Sequence, residues 1–126
     1  MGRYRRANAQ DIEDAVACAR ADEDGWRAKS HAERAEVLRR AAHEIRAARA
    51  DLVGAALADG GKTIAESDPE VSEAVDFVEF YNRTAAYYHE LPGVRATARG
   101  VVVVVSPWNF PIAIPCGGVA AALAAG

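Results

Sequence analysis

Hydrophobic and polar positions along the chain change their period at two places, and those changes mark out its elements. Ile12, Ala15, Val16 and Ala19 recur at helical spacing, and Asn8 with Asp11 three residues on supplies a start. This predicts a first helix over about 9–28 with that face buried. Ser30 and Glu33 form a capping box. The stripe Leu38, Ala41, Ile45, Ala48, Leu52 and Ala55 then predicts a second helix over about 31–58, kinked near Arg49 to Asp51 and stopped by Asp59-Gly60-Gly61. Asp68 before Pro69 predicts the cap and first turn of a third helix over about 69–89, with Val71, Ala74, Val75, Val78, Tyr81, Ala85 and Tyr88 inward. The aromatic residues of this helix, Phe77 to Tyr88, fall at core-packing spacing.

The period then disappears. Val101 to Val105 are five β-branched residues in a row, which predicts a strand over about 100–105 covered on both faces, as in a parallel sheet. Pro107 and Pro111 bar either regular element between them, and the apolar run from Ile112 to Ala125 predicts a helix over about 112–125 with Pro115 tolerable in its first turn. The fold class expected is therefore α/β: a helical layer followed by a strand-loop-helix unit. In such units the loop beyond the carboxyl end of the strand is the usual place for ligands.

Composition narrows the options. A hydrophobic content of 51% suffices for a core, and the formal charge of −3 offers no electrostatic footprint for nucleic acid or an anionic membrane. Arg3, Arg5 and Arg6 make a basic start, but acidic residues follow from Asp11, no apolar signal core stands near Met1, and the last apolar run is too short to span a bilayer. The cytoplasm is the compartment expected. Cys18 and Cys116 are far apart and show no ligand spacing, and His31, His43 and His89 share none either, so no metal site is expected.

The segment Ser106-Pro107-Trp108-Asn109-Phe110-Pro111, followed by Gly118 to Gly126, resembles the NAD(P)-dependent aldehyde dehydrogenase superfamily. The resemblance runs through almost the whole chain, from Ile12–Trp26 through Glu33–Leu38 to Gly61-Lys62. Gly60-Gly61-Lys62-Thr63 and Glu70 to Phe77 are most similar to glutamate semialdehyde (pyrroline-5-carboxylate) dehydrogenases. It implies that residues 1–126 are part of a cofactor-binding domain, ending in the first unit of a Rossmann-like parallel sheet. It also implies oxidation of an aldehyde to a carboxylic acid with NAD or NADP, by a protein that is a homo-oligomer at full length. The family's glycine-rich cofactor turn, catalytic Cys, general-base Glu and ribose-binding Lys all fall after Gly126, so the chain reads as an incomplete domain, inactive alone.

The roles implied at the turn follow residue by residue. Oxidation through a thiohemiacetal puts negative charge on the former carbonyl oxygen, and a neutral amide can stabilise it without giving up a proton. By resemblance Asn109 is that donor; from composition alone it is read as capping the following helix or satisfying the turn. Val105, Ser106, Pro107 and Trp108 sit where the family contacts the nicotinamide-ribose side of the cofactor, with Trp108 alternatively a buried anchor. Phe110 resembles an aromatic residue lining the aldehyde tunnel, or else packs in the core.

Other candidates carry less chemistry. Gly61-Lys62-Thr63 lacks the first glycine of a phosphate loop, which places Lys62 at the surface. Cys116 has no neighbouring base, and Glu70, Glu73 and Glu79 read as solvated surface charges. A helical interaction module without catalysis is the alternative, but it gives the Pro-Trp-Asn-Phe-Pro turn no task.

Overall fold

The computed structural model describes residues 4–126, and Arg3 of the basic start lies outside them. Five α-helices follow in order: α1 Ala9–Ala21, α2 His31–Ala47, α3 Arg49–Gly60, α4 Ile64–Glu90 and α5 Ala113–Ala125, with a single 3-10 turn at Trp26–Ala28. The long α4 is the spine, packing on α2, α3 and α5. The core lies where three helices meet: Leu38 and Ala42 of α2, Val75 and Val78 of α4, and Ala120 and Ala124 of α5. Small residues dominate the α5 side, which lets its axis lie close to α4. No described helix is long and apolar enough to cross a membrane.

Local chemistry fixes the helix starts. At α1 the Asp11 amide donates to Asn8 Oδ1 at 2.9 Å and the Asn8 amide to Asp11 Oδ2 at 2.8 Å. At α2 the Ser30 amide and hydroxyl both donate to Glu33 Oε2 at 2.7 Å. The predicted start of the third helix is corrected. Glu66 accepts from the Thr63 amide at 2.8 Å and the Thr63 hydroxyl at 2.9 Å, so α4 begins at Ile64 and carries Pro69 inside it. Pro69 withholds only the bond to the Ala65 carbonyl, and both residues lie on the exposed face, where water can serve that carbonyl.

Three further expectations change. The predicted 9–28 helix ends at Ala21, because Asp22 turns left-handed at φ 52° and its carboxylate pairs with Arg27 at 3.1 Å. Its stripe is not buried: Ile12 is exposed, Val16 is only half-buried, and the other two positions on that face are alanines with little area to hold a helix down. The 31–58 helix is two helices, broken at Ala48, with Ala42 and Ala56 buried and Ala41 and Ala55 exposed. Tyr88, predicted inward, is exposed.

The predicted strand is the main correction. Residues 100–105 form no strand, and among the described residues there is none anywhere. A strand is defined by its ladder, and no backbone hydrogen bond joins residues 100–105 to another described segment. β-branching therefore predisposes the backbone to extend but cannot supply the partner. Val103 and Val105 stand exposed, whereas Val104 is pressed against α5 at Gly118. A methyl group at Gly118 would lie 2.5 Å from Val104 Cγ1. Alanine there gains up to about 1 kcal/mol in helix propensity but incurs an overpacking cost of about 1–3 kcal/mol against a stiff β-branched side chain. Gly118→Ala is thus expected to lower stability by roughly 1 kcal/mol in urea unfolding, and a more stable variant would show that the valine segment is not docked there.

Candidate functional site around the Pro-Trp-Asn-Phe-Pro turn

The turn between the valine segment and α5 is held from below by two side chains of the preceding helical region. α3 ends at Gly61, whose φ of 64° is left-handed and suits glycine, and the Lys62 amide closes back on the Ala56 carbonyl. This directs Lys62 inward. Its ammonium pairs with Glu70 Oε2, donates to the Asn109 carbonyl at 3.2 Å and lies 4.6 Å from the centre of the Phe110 ring. The reading of Lys62 as a surface residue is corrected: its side chain is only 12% exposed.

Glu70 is corrected as well. Its side chain is 1% exposed, and Oε1 accepts from the amides of Ile112 at 2.7 Å and Ala113 at 3.1 Å. An α-helix leaves its first four amides without internal partners. In α5 Glu70 takes two of them, Pro115 has no N–H to satisfy, and a carboxylate there also faces the positive end of the helix dipole. Burial alone would push the Glu70 carboxyl up; the Lys62 ammonium and the two amides outweigh it and hold it below the ordinary carboxylate range. Glu73 is exposed, as expected, while Glu79 is half-buried and pairs with Arg46 and Arg83.

The residues singled out from the sequence fall into two groups. Asn109 has an exposed side chain, while its backbone carbonyl is engaged by Lys62. The residue preceding α5 is Ile112, so the helix is capped by Glu70 and not by Asn109. Phe110 is 40% exposed beneath the Lys62 ammonium and outside the core. Trp108 is 82% exposed, which removes the buried-anchor reading in this chain; Val105 and Pro107 are exposed too. Ser106 differs, since it is half-buried and its buried hydroxyl has no partner. An open groove of about 310 Å³ runs beside it, lined by Phe77, Tyr81, Val104, Val105, Ile114 and Gly117.

Cys116 is not set up as a nucleophile. Burial pushes the Cys116 thiol up, and its sulfur donates to the Ala74 carbonyl at 3.7 Å. Cys18 is exposed on α1, away from the turn.

Sequence reasoning missed Lys62 and Glu70 as members of this site. The signal was present: Glu70, Ala74 and Val78 share one i, i+4 row, and Ser67, Val71 and Val75 make the adjacent row, so Glu70 stands on the buried stripe. Grouping Glu70 with Glu73 and Glu79 as solvated charges hides that position.

Comparison with known proteins shows the family. The aldehyde dehydrogenase family model matches residues 1–126. The bifunctional protein PutA of Escherichia coli (strain K12) is 38% identical over 126 residues, which cover 100% of this chain and 9% of that protein. The 1-pyrroline-5-carboxylate dehydrogenase 2 of Bacillus subtilis (strain 168) is 32% identical over an aligned stretch of 136 residues, covering 100% of this chain and 26% of the relative. The alpha-ketoglutarate semialdehyde dehydrogenase of Haloferax volcanii is 34% identical, covering 98% and 28%. A solved structure of proline utilization A (PutA) from Corynebacterium freiburgense superposes with a TM-score of 0.85 at 42% identity, over 100% of this chain and 13% of that one. The chain thus spans between 9% and 28% of the length of these relatives. With the match extending over every residue, the chain belongs to the aldehyde dehydrogenase family.

Proposed function

We propose that this chain contributes the oxyanion donor and part of the cofactor contact to an enzyme that oxidises glutamate semialdehyde to the carboxylic acid with NAD or NADP. Asn109 is the donor. One observation carries the assignment: the competing task of capping α5 is filled by Glu70, which leaves the Asn109 amide exposed at the mouth of the turn. An amide there can donate to a developing alkoxide while its backbone stays fixed.

The residues beside it fit a nicotinamide cofactor. Val105 and Trp108 offer exposed apolar surface, and the partnerless Ser106 hydroxyl supplies a polar group next to the groove. Val105, Ser106, Pro107 and Trp108 would hold the nicotinamide-ribose side, and the bound cofactor would accept the hydride. Phe110 would line the approach of the aldehyde. The choice of glutamate semialdehyde rests on the relatives named for 1-pyrroline-5-carboxylate, which is in equilibrium with that aldehyde by loss of water.

NAD(P)H formation by a complete dehydrogenase carrying this segment tests the reading, with glutamate semialdehyde and alpha-ketoglutarate semialdehyde compared side by side. Higher kcat/KM for the former is expected; a preference for the latter would reassign the substrate, and turnover of neither would remove the activity. The 126-residue polypeptide alone is expected to give none: burial pushes the Cys116 thiol up, and Cys18 lies on α1 rather than at the turn.

A further inference from the structure

We infer that Lys62 and Glu70 are positioning residues for Asn109, acting on the turning backbone that carries its amide. The inference rests on the oxyanion reading above and deepens it.

The two side chains grip the turn at both ends. Upstream, the Lys62 ammonium binds the Asn109 carbonyl, which belongs to the rigid peptide plane joining Asn109 to Phe110. Downstream, one Glu70 oxygen collects the amides of Ile112 and Ala113, while its other oxygen meets the same ammonium. Between them the Phe110 ring rests against that ammonium. The two gripping side chains come from separate places: Lys62 follows the left-handed end of α3, and Glu70 is anchored on the buried stripe of α4 between Ser67 and Val71. A turn restricted at Pro107 and Pro111 and tied at 109, 112 and 113 has little freedom left to swing Asn109.

A buried ion pair is a poor choice for stability alone, since well-packed apolar residues of similar volume often serve as well or better. What apolar residues cannot do is bind a carbonyl on one side of a turn and two amides on the other. Oxyanion stabilisation depends on a donor already in place when charge develops, and displacement by about 1 Å can cost on the order of 10²-fold in rate. The pair is suited to that requirement.

The test is a double-mutant cycle in a complete dehydrogenase carrying this segment, with kcat and KM measured per folded enzyme. Glu70→Gln and Lys62→Met are each expected to lower kcat by about 10- to 100-fold with a much smaller change in the KM for aldehyde. Each loss should vanish in an Asn109→Ala background, where there is no amide left to position. Losses that add in full to that of Asn109→Ala, or folded single variants with normal kcat, would overturn the inference. If Asn109→Ala itself turns over normally, the oxyanion reading fails and the positioning role with it; if it is slow while the single variants are not, only the positioning role fails. Where a variant does not fold in the complete enzyme, amide hydrogen exchange of the 126-residue chain gives a reading without activity. Glu70→Ala should speed exchange at Ile112 and Ala113 at least about tenfold, and unchanged protection would show that the carboxylate does not hold the turn.

Discussion

Replacing Asn109 by alanine in a complete dehydrogenase carrying this segment is expected to lower turnover by about 10²- to 10³-fold, equivalent to roughly 3 to 4 kcal/mol of transition-state stabilisation. The stability of the protein should scarcely move. Its exposed amide can be truncated without opening a cavity. The contact that Lys62 makes is to the backbone carbonyl of Asn109, which alanine retains. The start of α5 is satisfied by Glu70 in either variant. Were Asn109 a helix cap, the same change would cost about 1 kcal/mol of stability and leave turnover per folded enzyme intact. Thermal midpoint and kcat measured on one preparation separate the two, and a normal kcat would end the catalytic assignment.

The legibility of the fold in the sequence follows a physical division between local and non-local information. Helix starts set by adjacent residues were readable: the Asn8–Asp11 and Ser30–Glu33 boxes stand at the starts of α1 and α2. The Thr63–Glu66 box was passed over because Asp68-Pro69 offers a stronger-looking start five residues later, yet Pro69 is tolerated inside α4 on its exposed side. The strand at the valines could not be settled from those valines, because a ladder needs a second segment and β-branching reports only a local preference. At the turn, Asn109, Phe110 and Trp108 are proposed from the motif, whereas the contacts of Lys62 and Glu70 appear only in three dimensions. Lys62 is 47 residues from Asn109, and Glu70 is 42 from Ile112. Their roles arise from where α3 ends and how α4 is rotated, neither of which a charge pattern states.

Lys62→Met is expected to be strongly destabilising. Removing one partner of a buried ion pair strands the other, with typical costs of about 3 to 5 kcal/mol. The lower end is expected here, near 3 kcal/mol at pH 7, because Glu70 keeps two amide donors and methionine retains most of the apolar stem. The pH dependence identifies the cause. In the native chain the Glu70 carboxyl is held below its ordinary value, so its contribution is present above the usual carboxylate range and is lost as pH falls through the depressed folded value. Without the ammonium, burial opposes the two amides alone and the folded carboxyl titrates higher. The variant therefore holds a proton over a window in which the native chain has released it. Across that window the stability gap between native and variant should widen as pH rises, and it should narrow as pH falls through the depressed native value. Urea unfolding of the 126-residue chain and of Lys62→Met at a series of pH values from about 3 to 7 measures the gap. A gap independent of pH would mean that Lys62 stabilises the turn through its stem and the Phe110 contact, with the charge on Glu70 playing no part.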